Sequence, residues 1–429
     1  MIWIMLGLLL GMMLVGIPIL LCIAFVGFVG IAAEPGIVLP LFAQKTFTQL
    51  DSYTLLALPF FILAGGLMSA GGMSQQLVDF SRVLVGYLRA GLAHAAIVAS
   101  MVFAGISGSS TADASAIAAI VIPTMKRSGY KPGFAAALIA CAGTIGAIIP
   151  PSMIMVVYGA IAQVSIGGLF LGGIIPGILI GLFLMATVKL YSYHPNYPEL
   201  REAQGRFELR KIFVSLKTVW PALLAPIIII GGILSGVFTA TEAGVVACLY
   251  AFVVGFFFYR MIKLRDVTEI FVEAAITTTM VSAVIAVSGA MGWLLAYMQF
   301  NDMAVVWVTA ASQSPLMVLL VFAVVMVALG TFVDSLAILL VFAPVAVELS
   351  KRYGIDPIQM GLVMVMCNQI GAVSPPTAPL LFVTTNIAKT TFDDTNRHVW
   401  PFFGAECLVL LLVILIPGLS NWIPRYFLG

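Results

Sequence analysis

Charge is what this chain has least of. Lys, Arg, Asp and Glu together make up 9% of its 429 residues, against roughly a quarter in an ordinary soluble protein. So few charges cannot coat a soluble surface of this size, and the mean hydropathy of +1.14 makes lipid the natural solvent for most of it. No Asp, Glu, Lys or Arg occurs between Met1 and Ala33, between Pro132 and Val188, or between Met303 and Val333. A crossing needs about 20 apolar residues, so the second run alone supplies two. The apolar stretches also lack the alternation of polar and apolar residues that a membrane β-barrel requires. Helices are then the spanning element, because only they satisfy every backbone group internally.

Other absences narrow the function. The net charge is +2 and there is no basic stripe, which speaks against a nucleic-acid partner. The five cysteines (Cys22, Cys141, Cys248, Cys367, Cys407) have no metal-ligand spacing and read as small buried hydrophobes. No transition-metal site and no cofactor are expected. With three histidines in all (His94, His194, His398), a catalytic base is scarce. The stretch Gly105-Ile106-Ser107-Gly108-Ser109 fails the nucleophile-elbow pattern at its last glycine, so an intramembrane serine enzyme is disfavoured and no enzymatic activity is expected. The start, Met1-Ile2-Trp3, has neither a basic flank nor a small-residue cleavage site and reads as a retained first span.

Apolar stretches fall at 2–32, 52–70, 83–106, 114–125, 133–149, 153–166, 168–193, 218–236, 240–262, 268–300, 303–331, 335–348, 358–373, 376–388 and 399–424. Several are too short to cross alone and are broken by Gly, Pro and Ser, a pattern of re-entrant or discontinuous helices. The polar stretch from His194 to Lys217 carries Arg201, Arg206, Arg210, Lys211 and Lys217. The positive-inside rule puts it in the cytoplasm, together with Arg260 to Arg265.

The chain repeats itself. GSSTADASAIAAIVIP, MKRSGYKP and GTIGAIIPPS return in the same order as GTFVDSLAILLVFAP, LSKRYGIDP and NQIGAVSPPT. Asp113 matches Asp334 and Pro123 matches Pro344 at one offset. After a four-residue insertion, Lys126-Arg127 matches Lys351-Arg352, Ile145-Gly146 matches Ile370-Gly371, and Pro150-Pro151 matches Pro375-Pro376. Duplicated interruptions of apolar helices are the mark of secondary transporters. The order of parts does not reveal whether the two copies are inverted.

The interruptions carry the chemistry. From Gly105 to Asp113, glycines permit unwinding and hydroxyls can coordinate a cation or a polar solute; the alternative is close helix packing by small residues. Consecutive prolines remove two backbone donors and expose carbonyls at membrane depth, tolerated where the break lines a site or lies in protein. We read both Pro-Pro pairs as ligand-facing hairpin tips. A carboxylate inside a membrane costs roughly 2.5–3.5 kcal/mol on insertion scales. Asp113 reads as a helix cap, whereas Asp334 either caps the next half-helix or receives a solute or cation. Thr239 or Thr241 with Glu242 suits a helix start.

At these motifs the chain resembles the large membrane subunit of the tripartite ATP-independent periplasmic (TRAP) transporters. The similarity rests on LLALPFFILAG (Leu55 to Gly65), Ala93-His94, FAGISGS (Phe103 to Ser109), Ala112-Asp113-Ala114, Thr144-Ile145-Gly146, Ile149 to Ser152, FTATEA (Phe238 to Ala243) and Pro375-Pro376. One departure is Ala147, where many such proteins carry proline.

The resemblance implies an all-α, multi-pass inner-membrane protein of the elevator type. It would have two repeats, each with a re-entrant helical hairpin and a discontinuous helix. Scaffold helices are expected over 1–90, the first repeat over 91–175, a cytoplasmic loop and further scaffold over 176–310, the second repeat over 311–398, and a C-terminal helix over 399–429. The implied activity is Na⁺-coupled import of a small organic anion: sialic acid, another sugar acid or a C4-dicarboxylate. The implied partners are a separate small four-helix membrane subunit, a periplasmic solute-binding protein and membrane lipid. The implied substrate contacts are Ser107, Ser109, Ser110, Ser152, Asp334 and Thr377. Gly105, Thr111, Thr144, Gly146, Gly330, Asn368, Gly371 and Ser374 are the implied Na⁺ ligands. The competing reading is a stand-alone exchanger or channel that needs no binding protein.

Overall fold

A computed structural model of the chain describes residues 2–34, 36–201, 208–300, 303, 314–333, 335–376 and 378–428. Every regular element among them is helical. Five helices are individually long and apolar enough to cross a bilayer: Ile166–Tyr191, Leu209–Leu234, Ala240–Phe258, Leu264–Tyr297 and Phe392–Leu415. The others are shorter, as the broken apolar stretches lead one to expect.

The first third builds a framework. Helices α1 (Ile2–Leu14) and α2 (Ile19–Ala33) occupy the first apolar stretch, which splits because Gly16 takes a left-handed turn and Pro18 ends the run of donors. Helix α3 (Pro40–Leu50) precedes α4 (Ala57–Ala70) and α5 (Met73–Val85). Between α4 and α5 the axis turns by 65° at Gly71-Gly72. Helix α5 buries Met73, Leu77, Val78 and Ser81 on one stripe and exposes Asp79, the pattern of a helix lying in the membrane interface.

Next come α6 (Gly91–Ser107), α7 (Ser110–Arg127), α8 (Pro132–Thr144), α9 (Met153–Ala162) and α10 (Ile166–Tyr191). Three long helices follow: α11 (Leu209–Leu234), α12 (Ala240–Val253, continuing as a π-turn to Phe258) and α13 (Leu264–Tyr297). Thr239 caps α12 in a full capping box with Glu242, whose carboxylate accepts from the Thr239 backbone at 2.8 Å. The second copy comprises α14 (Pro315–Gly330), α15 (Ser335–Tyr353), α16 (Pro357–Ala372) and α17 (Pro379–Ala388). Helices α18 (Phe392–Leu415) and α19 (Gly418–Leu428) close the chain. The single stretch expected at 399–424 is thus divided at Ile416-Pro417.

Packing along α10 fixes the directions. Its end lies beside the start of α8, with the Tyr191 and Phe134 rings 5.3 Å apart. Its middle, at Gly173, meets Ile148 and Met155, and its start, at Ile166, meets Gly159 of α9. So α8 and α9 run on in one direction as a single interrupted crossing, antiparallel to α10. The second copy runs the other way. Ile358, at the start of α16, packs on Gly168 at the start of α10. Ala388, at the end of α17, accepts a bond of 2.8 Å from Lys126 at the end of α7.

The two copies are therefore inverted. The positive-inside rule assigns to the cytoplasm the end of the molecule holding Lys126, Arg127, Lys131, Lys189, Lys389 and the Arg260–Arg265 loop. Lys45, Lys351, Arg352 and Arg425 gather at the opposite end.

Candidate functional site

Each copy has a hairpin and a broken helix, and the Pro-Pro pairs belong to the latter. This corrects their reading as hairpin tips. The first hairpin is α6 and α7, rooted on the cytoplasmic side, and its tip is Gly108 at φ +66°. A side chain there would be strained, and its Cβ would meet the Pro151 carbonyl at 2.6 Å. The second hairpin is α14 and α15, entering from the other side. Pro150-Pro151 and Pro375-Pro376 interrupt the crossings α8–α9 and α16–α17. Proline supplies no N–H there, so the helices stop, and nearby groups take up some of their last carbonyls: Thr144 donates to Cys141 and Ser152 to Ala147.

All four interruptions meet at the centre. Met153 N–H donates to the Gly108 carbonyl at 3.2 Å, tying the first tip to the first break. Ser110 donates to Gln369, tying the first tip to the second break. Asn368 donates to the Ser335 carbonyl at 3.2 Å, tying the second tip to its own break. Gly330 and Gly371 are in backbone-to-backbone contact, with no space for a Cβ on either. Gly146 lies against the Asp113 carboxylate in the same way.

Within this knot, Ser107 is buried and donates to Asp113. Asp113 is fully buried and its Oδ2 has no hydrogen-bond partner among the described residues. The cap of α7 is Ser109, whose Oγ accepts from Ala112 N–H at 3.5 Å, so Asp113 is not the cap it was expected to be. Thr111 stands exposed, 3.3 Å from Ser109 Oγ. Asn368 is buried, and its Oδ1 likewise lacks a partner among the described residues.

Thr144 donates from a buried position beside both the Cys141 carbonyl (2.7 Å) and Glu406 Oε1 (2.8 Å). Ser152 is spent locally: it caps α9 through Met155 N–H and donates to the Ala147 carbonyl at 2.6 Å. Ser374 lies 3.5 Å from the Pro375 carbonyl. Gly105 packs under Pro226 and Pro150. Asp334 and Thr377 lie outside the described residues.

Two cavities adjoin the knot. One, of about 550 Å³, lies between α4, the cytoplasmic half of α13 and the first hairpin, and is lined by Ser107, Ser109, Ser115, Glu273 and Thr277. The other, of about 210 Å³, is lined by Ser109, Ser110, Thr111, Ser335 and Gln369 and so touches both copies. The expected contacts Ser107, Ser109 and Ser110 line these cavities; Ser152 does not. Among the described residues, neither cavity has a Lys, Arg or His in its lining.

Sequence reading missed Glu406, Gln369 and Glu273. A lone Glu inside the apolar run of α18 was a usable signal for the first. Gln369 follows an expected residue directly. Nothing local marked Glu273, which reaches the cavity only through helix packing.

Comparison with known proteins agrees with this architecture. Residues 6–419 match the family model described as tripartite ATP-independent periplasmic transporter, DctM component. A C4-dicarboxylate TRAP transporter large permease protein of Pseudomonas aeruginosa is 38% identical, covering 90% of this chain and 89% of that one. A sialic acid TRAP transporter large permease protein of Vibrio cholerae is 35% identical over 98% and 97%. A 2,3-diketo-L-gulonate TRAP transporter large permease protein of Escherichia coli is 36% identical over 97% of each. Among solved structures, the YdaH transporter of Alcanivorax borkumensis shares the fold with a TM-score of 0.61 at 15% identity, covering 90% of this chain and 88% of that one. The three relatives are each named as the large permease protein of a TRAP transporter. The chain belongs to the DctM-component family of tripartite ATP-independent periplasmic transporters.

Proposed function

We propose that this chain is the membrane permease of a Na⁺-coupled importer of small organic anions, working by an elevator-like movement of the two-repeat bundle against the framework. One observation carries the reading. Each copy buries an acceptor oxygen that has no donor among the described residues where a tip meets a break: Asp113 Oδ2 in the first, Asn368 Oδ1 in the second. An unmatched buried acceptor costs about 1–3 kcal/mol, which a cation would relieve. Serine hydroxyls beside the breaks suit Na⁺. Among the described residues the central cavities also lack basic side chains, so a bound cation would supply the positive charge that a carboxylate needs.

The inverted repeats support the elevator reading, because two oppositely directed hairpins give each side of the membrane one gate of similar build. The bundle would comprise the repeats expected at 91–175 and 311–398, moving against the scaffold segments 1–90 and 176–310. The relatives named for C4-dicarboxylate, sialic acid and 2,3-diketo-L-gulonate support an acidic solute. The tripartite family supports a small membrane subunit and a periplasmic binding protein as partners.

The test is uptake of radiolabelled succinate, N-acetylneuraminate and 2,3-diketogulonate into proteoliposomes holding the chain with both partners. Replacing external Na⁺ by K⁺ is expected to abolish uptake, and Asp113→Ala or Asn368→Ala to raise the Na⁺ concentration needed. Undiminished uptake in K⁺ would sink the coupling. Uptake by the chain alone would favour a stand-alone exchanger.

A further inference from the structure

Outside the central knot lies a third cavity, of about 320 Å³, on the side of the membrane opposite the basic loops. Its framework wall is α3 and the far end of α13. Lys45 of α3 is half-buried and holds its ammonium 5.2 Å from the centroid of the Trp293 ring. Gln49 lies one turn on, against Gly289. Ser288 is 2% exposed, and its hydroxyl has no hydrogen-bond partner among the described residues. The opposite wall comes from the repeats: Ile161 at the end of α9 and Pro344 in α15.

We propose that this cavity is an outer anion-binding vestibule, in which Lys45, Gln49 and Ser288 hold the carboxylate of an organic acid over the Trp293 ring before it reaches the central site. Among the described residues, no acidic side chain lines the cavity. A lysine that only snorkelled would carry its head to open water, whereas Lys45 turns its head onto an aromatic ring inside a cavity. The other described cations at this end are placed elsewhere: Arg425 pairs with Asp356 at 3.2 Å, and Lys351 and Arg352 end α15. The buried Ser288 hydroxyl is a donor without an acceptor among the described residues, and a carboxylate is an acceptor without a donor. The volume falls within the usual range for small-molecule sites, about 300–1,000 Å³. Because one wall belongs to the framework and the other to the repeats, the cavity would change shape as the bundle moves. The vestibule rests on the reading of the cargo as an organic anion.

The experiment uses the full chain in nanodiscs of neutral phosphatidylcholine, with bromosuccinate as a quenching anion. The Trp293 component of the fluorescence is isolated by difference from Trp293→Phe. Saturable quenching of that component is expected. Lys45→Gln should weaken its apparent affinity about tenfold, as loss of a charged hydrogen bond does, while Lys45→Arg should retain it and Ser288→Ala should weaken it less. In the complete uptake system, Lys45→Gln should raise KM and leave the maximal rate. Equal quenching in Lys45→Gln overturns the vestibule. So does equal quenching by neutral bromosuccinamide, or a site that only an anionic phospholipid headgroup occupies. A wild-type system that moves no organic acid defeats the cargo reading instead. Normal KM in Lys45→Gln defeats the vestibule alone.

Discussion

Glu406 sits in the middle of α18 with no exposed surface, and its one hydrogen-bond partner among the described residues is Thr144. Removing the carboxyl group would leave the Thr144 hydroxyl with the Cys141 carbonyl alone and open a void in a tightly packed layer. Glu406→Ala should therefore lower stability by about 1–3 kcal/mol, read as an earlier thermal unfolding in detergent. Glu406→Gln keeps a group that can bond to Thr144 and should fall close to wild type. A loss in Glu406→Gln as large as in Glu406→Ala would mean that the charge, not the hydrogen bond, matters. Gly371 makes a second case at this scale. Its Cα approaches Gly330 so closely that a Cβ must push the second tip away from the second break. Gly371→Ala should cost about 1–3 kcal/mol as overpacking does, and uptake should fall more than the amount of folded protein in the membrane. The glycines of both repeats were legible as special in the sequence. Their reason was not, because a glycine needed for φ and one needed for close approach look the same in one dimension.

At the scale of elements, local rules did most of the work. The spacing of Thr239 or Thr241 with Glu242 marks a helix start, and the structure makes Thr239 the cap in a full capping box. Thr239→Ala should cost about 0.5–2 kcal/mol, measurable as a lower midpoint of thermal unfolding without loss of Na⁺ dependence. The Pro-Pro pairs were rightly placed as interruptions but wrongly as hairpin tips. Proline states that a helix stops; it does not state whether the chain then turns back or goes on. The next helix decides that by what it packs against, and α9 continues along α10. Gly108 is the true first tip. Gly108→Ala should loosen the contact with Met153 and Pro151 and reduce uptake several-fold at normal membrane abundance, since about 1 kcal/mol of left-handed strain falls on the site itself. The stretch at 83–106 was read as one element because its hydropathy is continuous. It is two, since α5 ends at Val85 and α6 begins only after the left-handed Ala90.

At the scale of the whole molecule, the inverted packing makes a prediction about sides. Lys351 and Arg352 occupy the same place in the second copy as Lys126 and Arg127 do in the first, yet they emerge on opposite faces of the membrane. In intact cells, a membrane-impermeant maleimide should label a single cysteine introduced as Lys351→Cys and should not label one introduced as Lys126→Cys. Equal labelling of the two would contradict the inversion. The sequence by itself determined that this chain lives in lipid, that it is helical, that it contains a duplicated pair of interruptions, and which small and polar residues mark them. Those are consequences of composition and local backbone chemistry, which act over a few residues. Only the tertiary structure decided that the copies run in opposite directions, which interruption is a tip and which a break, and that Glu406, Gln369 and Glu273 come to the centre. These depend on which side of the membrane each helix starts from and what it packs against, and that is fixed by the whole sum of crossings rather than by any one segment.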